Sequence, residues 1–374
     1  MKAVNAFRMR RLVFVNLLSL AASIAMAQAV DPVWIQLDRA REFYAAGEYG
    51  DALSTVQKAR QTKHEITARR VAVLEAAFMP AEVRRVGDDL SLIRPVLVSR
   101  DDKEALDTLD ILAKTRGASA LAGSASKTLA WLRRSDVFPE ADYLEGLIHD
   151  AEGETAIALR LYLQAWDNRE FLDIPDQSYD ILYRMAESSL GMGDRDTAEK
   201  DYLQILSDDE VYGTPDLPSP TLLAMKNTLV TGRDTAKFIK LYRHENGKAF
   251  KAASRITELY LEDDASRGRA LNGAILASCM AVSMADRVLA ARRIPWDGTS
   301  AESLFQALGK SAELTRWATE NGVWGPFLLL PRALASVGND TQAIELLSAL
   351  SAHCPDPVIA KKAAGLKKTL SSRY

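Results

Sequence analysis

"LGMGDRDTAEKDYLQIL", from Leu190 to Leu206, decides the fold because it contains the end of one helix, a turn and a second helix. Glycines are typical of helix C-termini, so Gly191 and Gly193 end the first helix. Asp194 is a suitable N-cap for the second. Spacings of three and four residues give each helix one inward face. The first helix contributes Leu182, Met185, Ala186 and Ser189, and the second contributes Ala198, Tyr202, Ile205 and Leu206.

The same order of residues recurs in three other stretches, "WIQLDRAREFYAAGEYGDALSTVQKAR", "DYLEGLIHDAEGETAIALRLYLQAW" and "FLLLPRALASVGNDTQAIELLSALSAHCP". Every copy keeps an alanine five residues after the turn glycine and a bulky residue four positions later. Two of the copies are spaced by 40 residues at three matching positions. The turn glycines are Gly47, Gly153, Gly193 and Gly338, and the alanines are Ala52, Ala158, Ala198 and Ala343.

This pattern resembles the tetratricopeptide repeat, which has a small residue in its first helix, a glycine-containing turn and alternating small and bulky residues in its second helix. The resemblance implies an all-α solenoid of helix–turn–helix pairs, in which small residues let the two helices approach closely. The copies depart from the family in three ways. The early tryptophan is absent from its usual place, the 40-residue spacing exceeds the usual spacing of about 34, and Pro331 replaces the small residue of the last copy.

In the repeat family, ligands bind along the first helices, on the concave face of the array. The candidate partner-binding residues at matching positions are Trp34, Leu37, Arg41, Tyr44, Tyr143, Leu147, Asp150, Tyr183, Glu187 and Leu190. Aromatic residues and arginine commonly anchor protein interfaces. The alternative is that Leu147 and Leu190 pack between helices and that Tyr44 stacks on its own turn.

The first residues have the order of a secretory signal peptide: a basic "MKAVNAFRMRR", an apolar run, and small residues around Ala27. An uncleaved anchor is the alternative, but a spanning helix needs about 20 apolar residues. This run is shorter and is broken by Asn16, Ser19 and Ser23. We therefore expect cleavage and a periplasmic or secreted mature chain, without a lipid-modified cysteine because no cysteine lies near the cleavage site.

The rest of the chain is expected to be helical in two regions. We predict a leader over residues 1–29, tetratricopeptide-like repeats over 30–211, a linker or break over 212–221, and a C-terminal helical region over 222–374 that ends in a repeat-like unit. The break is "YGTPDLPSPT", which has three prolines in ten residues. The helix containing "RALNGAILASCMAVSMADRVLAAR" is the most apolar of the mature chain and is expected to be buried.

Motifs for catalysis or metal binding are not indicated. The four histidines lack the HExxH spacing of a zinc site, and no phosphate-binding glycine loop or GxSxG motif occurs. Ser124 and Lys127 match the SxxK motif, but its partner motifs are missing. We therefore expect no enzyme, no cofactor and no metal. Cys279 and Cys354 are the only cysteines, and the sequence leaves open whether they pair.

The net charge of the chain restricts the classes of partner that are expected. The leader holds four of the 47 basic residues and none of the 50 acidic ones, so the mature chain is more acidic than the formal net charge of −3. Nucleic acid is therefore not an expected partner. The predicted function is a non-enzymatic periplasmic scaffold or adaptor that binds a protein or peptide on the concave face. The alternative is a small-ligand-binding accessory protein of a solute transport system, and self-association stays open.

Overall fold

A computed structural model describes residues 32–77, 130–208, 213–243 and 249–372. In these ranges the chain forms fifteen α-helices and no strand, so the prediction of an all-α protein is confirmed. The predicted leader of residues 1–29 and the SxxK residues Ser124 and Lys127 lie outside the described residues.

The chain divides into two compact units, Met1–Gly153 and Glu154–Tyr374. The described part of the first unit contains helices α1 (Val33–Ala46), α2 (Tyr49–Ala77) and α3 (Pro139–Ala151). Helix α2 packs against both of the others. Small and aliphatic residues of the three helices, with Phe138 just before α3, form the core: Leu37, Ala40, Ala52, Val56, Ala59, Phe138, Ala141, Leu144 and Ile148.

The second unit contains the other twelve helices of the described chain. They are α4 (Thr155–Asp167), α5 (Gln177–Gly191), α6 (Arg195–Ser207), α7 (Pro220–Lys226), α8 (Thr235–Leu241), α9 (Phe250–Leu261), α10 (Arg267–Ala291), α11 (Ala301–Leu308), α12 (Ala312–Glu320), α13 (Gly325–Ser336), α14 (Asp340–His353) and α15 (Pro357–Ser371). Neighbours in sequence pack on each other, as α5 does on α6 and α13 on α14. Helix α9 also packs on α6, across the shorter helices between them.

The four predicted turn glycines share one backbone conformation. Gly47, Gly153, Gly193 and Gly338 have φ values of +79°, +83°, +84° and +82°, in the left-handed region that glycine adopts without steric cost. At Gly193 the amide N–H bonds to Leu190 O at 2.9 Å, and the next N–H, of Asp194, bonds to Ser189 O at 2.9 Å. The turns at Gly47 and Gly338 repeat this pair of bonds. The glycines therefore end their helices in the same way.

The residues around each turn are buried in the same register. The small residue seven positions before the glycine, the alanine five after it and the bulky residue nine after it are all buried. These residues are Ala40, Ala52 and Val56; Gly146, Ala158 and Tyr162; Ala186, Ala198 and Tyr202; and Pro331, Ala343 and Leu347. The repeated positions are therefore buried in all four copies, with Pro331 buried where the other copies have a small residue. Pro331 is accommodated inside α13, which continues through it to Ser336.

Helix α10 is the core helix of the second unit. It has 25 residues, and its buried side includes Leu271, Ile275 and Val282. Among the described helices, the stretch Asp264–Ala291 alone is long and apolar enough to cross a membrane, but 67% of its apolar window is buried inside the protein. The prediction that this helix is buried is confirmed.

The proline-rich segment packs on α10. Asn272 Nδ2 donates to Pro215 O at 3.0 Å, and Arg269 binds the carboxylate of Asp216. Gly213 and Pro218 pair with each other across the turn. The segment predicted as a linker or break therefore lies within the second compact unit, and the division between the units falls at Gly153. The limits predicted for the repeat regions, 30–211 and 222–374, stay predictions.

Candidate functional site

Four of the predicted partner-binding residues lie on α1, in the first unit. Trp34 is 37% exposed, whereas Leu37 is 4% exposed and belongs to the core. The burial of Leu37 assigns its side chain to packing, which corrects its place among the contact residues. Tyr44 is half-buried, and its ring lies 6.0 Å from that of Tyr49, centroid to centroid. It therefore stacks across its own turn, as the alternative interpretation expected.

The fourth α1 residue and the three on α3 are more accessible. Arg41 is exposed and donates to Asp38, one turn earlier, at 2.6 Å. Tyr143, Leu147 and Asp150 are half-buried at consecutive turns of α3, and Leu147 packs against the core. The seven predicted residues of the first unit thus include core and surface side chains.

The three predicted residues of α5 lie in the second unit, and two of them meet side chains of other helices. The ring of Tyr183 lies 5.7 Å from that of Tyr202 on α6. Glu187 accepts hydrogen bonds from the Tyr202 hydroxyl and from Arg255 Nε of α9, the latter at 2.9 Å. Leu190 is half-buried one turn later, beside the α5–α6 turn.

Arg255 connects α5 to a second carboxylate. Its Nη1 donates to Glu258 Oε2 at 2.6 Å, so one guanidinium bridges Glu187 and Glu258. We call Tyr183, Glu187, Tyr202, Arg255 and Glu258 the α5–α9 cluster. The Arg255, Glu187 and Glu258 side chains are 39%, 28% and 43% exposed. The cluster is therefore a half-open surface, which a partner can reach.

The electrostatics keep both phenols of the α5–α9 cluster protonated. Burial, followed by the negative charge of Glu187 and the hydrogen bond to it, raises the pKa of Tyr183 well above its usual range. Burial and the hydrogen bond to Glu187 do the same to the pKa of Tyr202. The hydrogen bond to Glu258 is the main factor that raises the pKa of Arg255. The cluster therefore presents the neutral phenol of Tyr183, a fixed cation and two carboxylates, with the neutral phenol of Tyr202 buried behind them.

This arrangement is suited to recognition. The guanidinium holds the carboxylates by charge-assisted bonds, and the aromatic rings are held by their neighbours, so little side-chain entropy is left to lose on binding. Tyrosine and arginine in partly enclosed surroundings are the residue types that dominate the binding energy of protein interfaces.

A second polar cluster ties α6, α9 and α10 together. Arg269 binds Glu199 and Asp216, and its Nη2 lies 2.6 Å from the hydroxyl of Tyr260, on whose ring it also stacks at 4.0 Å. The Tyr260 hydroxyl donates to Glu199 at 3.0 Å or to Asp216 at 3.2 Å. These groups satisfy one another, so the cluster fastens the proline-rich segment to the helices.

The histidine that the sequence places on α3 lies beside a carboxylate at the end of the same helix. His149 Nδ1 lies 4.0 Å from Glu152 Oε2 in the first unit.

Sequence reasoning identified Tyr183 and Glu187 and missed their partner Arg255. Arg255 lies 68 residues after Glu187 and belongs to a helix outside the four repeated copies. Tyr202 was identified, but as a buried residue of the repeat register. The sequence signal that could have identified Arg255 is the amphipathic pattern of α9, which places Arg255 and Glu258 one turn apart.

Comparison with other proteins places the chain in a family. No family model matches it. The chain is 35% identical, over 334 residues, to an uncharacterized protein of Treponema pallidum (strain Nichols), and the match covers 89% of each chain. The chain belongs to the family of this Treponema protein. Because the match spans nearly the whole of both proteins, they are similar in length as well as in local sequence.

Proposed function

We propose that this protein is a non-enzymatic scaffold or adaptor of the bacterial cell envelope, which binds a protein or peptide through the first helices of tetratricopeptide-like pairs. The proposed place of action is the periplasm. That part of the proposal rests on the basic, apolar and small-residue order of the first 29 residues.

The repeated register of the turns supports the repeat architecture. Each turn glycine is followed by a fully buried alanine and, four residues later, by a fully buried bulky residue. A helix pair that uses one face for such packing leaves the other face of its first helix for ligands. We propose that the pairs stack as a tetratricopeptide-like solenoid within each unit.

The observation that carries the binding function is the α5–α9 cluster. Ile181, Leu182, Met185 and Ala186 of α5 are buried, while Tyr183 and Glu187 are held half-open beside Arg255. An extended peptide could place a hydroxyl or amide against Glu187 and an apolar side chain on the Tyr183 ring. Interfaces of this kind take most of their energy from a few such residues.

Photo-crosslinking in the native envelope tests the proposal. The full chain is expressed with a photoreactive phenylalanine analogue in place of Tyr183, and its crosslinked products are compared with those from the same analogue at Leu223. Leu223 is a matched control because it is 45% exposed, lies in the same unit and is outside the cluster. A product specific to position 183 is then measured again in the presence of Arg255→Ala.

The expected result is one protein or peptide product at position 183, absent at 223 and reduced by about tenfold or more with Arg255→Ala, as for loss of a charged hydrogen bond. The same products at 183 and 223, or no effect of Arg255→Ala, would place the binding surface elsewhere. Circular dichroism of the purified Arg255→Ala protein shows whether its fold is retained.

A further inference from the structure

A cavity of about 380 Å³ lies in the second unit, and none of the residues that line it belongs to the α5–α9 cluster. Helices α13, α14 and α15 form most of its wall, and residues at the junction of α9 and α10 complete its lining. Its apolar lining consists of Leu261, Ala335, Leu347, Leu366 and Leu370. Its volume is at the lower end of the range of about 300–1,000 Å³ that is typical of small-molecule sites.

Most of the polar groups that line the cavity already have a hydrogen-bond or ion-pair partner in the protein. Ser336 Oγ donates to Ala333 O at 2.8 Å, and Thr369 Oγ1 donates to Gly365 O at 3.1 Å. Arg267 pairs with Asp264 at 2.7 Å. Both hydroxyl protons are thus committed to their own helices, and Asp264 is neutralised by its neighbour.

Arg332 is the lining cation that has no carboxylate partner among the described residues. It lies in the last turns of α13, is exposed, and lines the cavity. Within the described part of the chain, no carboxylate pairs with its guanidinium, whereas Arg267, Arg269 and Arg255 each have one. The charged lining is two arginines against one aspartate, a net charge of +1.

A ligand that complements this cavity must have two properties. It needs an acceptor group for the free guanidinium, because guanidinium carries five donors and no acceptor. It also needs a small apolar body, because Leu261, Ala335 and Leu366 are partly exposed to the cavity and would otherwise face water. A carboxylate suits guanidinium in particular, since two parallel N–H···O bonds can form.

We propose that the cavity between α13, α14 and α15 is a binding site for a small aliphatic monocarboxylate, whose carboxylate pairs with Arg332 and whose chain lies against Leu261, Leu366 and Leu370. This site is separate from the partner-binding function proposed above and does not depend on it.

Three eight-carbon probes that differ in head group test the site. Octanoate, octanol and octylammonium are titrated into the full mature chain at pH 7.5 by isothermal titration calorimetry. The same samples, labelled with ¹³C in the leucine methyl groups, locate the bound chain by chemical-shift changes. The variants are Arg332→Gln, Ala335→Phe to fill the cavity without changing its charge, and Arg316→Gln as the matched control. Arg316 is an exposed arginine on α12 that does not line the cavity.

The proposal expects octanoate to bind at least tenfold more tightly than octanol and octylammonium, with shifts at Leu261, Leu366 and Leu370. It expects Arg332→Gln to weaken octanoate binding about tenfold or more, Ala335→Phe to abolish the leucine shifts, and Arg316→Gln to bind like the wild type. Equal binding of the three probes, or unchanged octanoate binding by Arg332→Gln and Ala335→Phe, overturns the proposal.

Discussion

Gly273 of α10 lies directly against Thr257 of α9: a Cβ atom on Gly273 would lie 2.5 Å from Thr257 Oγ1. Thr257 cannot easily move away, because it is fully buried and its hydroxyl donates to Ala253 O at 2.7 Å. We therefore expect Gly273→Ala to destabilise the protein by about 1–3 kcal/mol, as overpacking of a well-packed interior does. The shift of the urea denaturation midpoint, followed by circular dichroism, measures this effect.

Gly365→Ala is the matched control for Gly273→Ala. Gly365 lies inside α15, and no atom lies within 4 Å of the Cβ that alanine would add. Alanine is favoured over glycine inside a helix by about 0.5–1 kcal/mol, so this variant is expected to be slightly more stable. Equal effects of the two alanines would show that the close approach of α9 and α10 is not what Gly273 provides.

The turn glycines give a prediction that depends on backbone conformation alone. At Gly47, Gly193 and Gly338 no atom lies within 4 Å of an added Cβ, so the cost of alanine is the left-handed backbone itself. Each Gly→Ala variant is expected to lose about 1 kcal/mol, and Gly→Asn less, because asparagine tolerates this conformation better. Thermal denaturation of the six variants tests whether, at each site, asparagine costs less stability than alanine. Alanine as stable as glycine at these sites would contradict the common turn geometry.

Local features of this fold could be predicted from the sequence. Turn glycines, buried alanines and the apolar run of α10 depend on spacings within one helix pair, so the residues themselves carry the signal. Ala198 and Tyr202 are fully buried as their register requires. The same reasoning misplaced Leu37, because periodicity identifies a face of α1 but does not say whether that face meets the core.

The α5–α9 cluster could not be predicted in full, for a physical reason. Glu187 and Arg255 meet because α9 packs on α6, and the chain between α6 and α9 includes the proline-rich segment and two short helices. This stretch has no repeat spacing that would fix the position of α9. The same holds for Arg269 and Glu199, 70 residues apart, whose pairing follows from the docking of α10.

Arg269 is expected to contribute more to the free energy of unfolding than Arg292 does. Arg269→Met leaves Glu199 and Asp216 facing each other across the Tyr260 hydroxyl without a cation. Since these carboxylates are 23% and 29% exposed, we expect a loss of about 1–3 kcal/mol, less than for a fully buried pair. The control is Arg292→Met, which breaks an exposed pair with Glu313 and should cost at most about 1 kcal/mol. Similar midpoints of urea denaturation for the two variants would contradict the assignment.

Asp201 of α6 makes the stability of the second unit depend on pH. Its side chain is 7% exposed, and within the described residues no donor reaches Oδ2. Burial raises the pKa of Asp201 to about 6 from an ordinary value near 3.8. The folded state therefore binds the proton more tightly than the unfolded state does, and the stability from this carboxyl is present at low pH and is lost as the pH rises from about 4 through 6.

Asp201→Asn tests this pH dependence. The amide cannot ionise, so the variant is expected to be about 1–3 kcal/mol more stable than the wild type at pH 7.5 and close to it at pH 4. Asp234→Asn is the control, because Asp234 is the exposed N-cap of α8 and asparagine caps helices equally well. Denaturation midpoints between pH 4 and 8 give the comparison. A difference between Asp201→Asn and the wild type that does not change with pH would exclude ionisation of Asp201 as its cause.

The two cysteines are free thiols in the structure and are expected to differ in reactivity. Cys279 lies inside α10 and is 2% exposed, and burial raises its pKa well above the usual range. Cys354 follows α14 and is half-buried, and burial raises its pKa to about 11. Since the thiolate is the reactive form, both should react slowly at pH 7.5, Cys354 first and Cys279 only on unfolding.

Mass spectrometry after alkylation measures both the order and the number of thiols. Exported protein is treated with iodoacetamide without reductant, first native and then in urea, beside a Cys354→Ser variant. In the native state we expect one slow adduct on the wild type and none on the variant. After unfolding we expect two adducts on the wild type and one on the variant. Unfolded wild type that takes up no reagent until it is reduced would mean that the exported chain pairs Cys279 with Cys354, which requires α10 to approach the end of α14 more closely than in this fold.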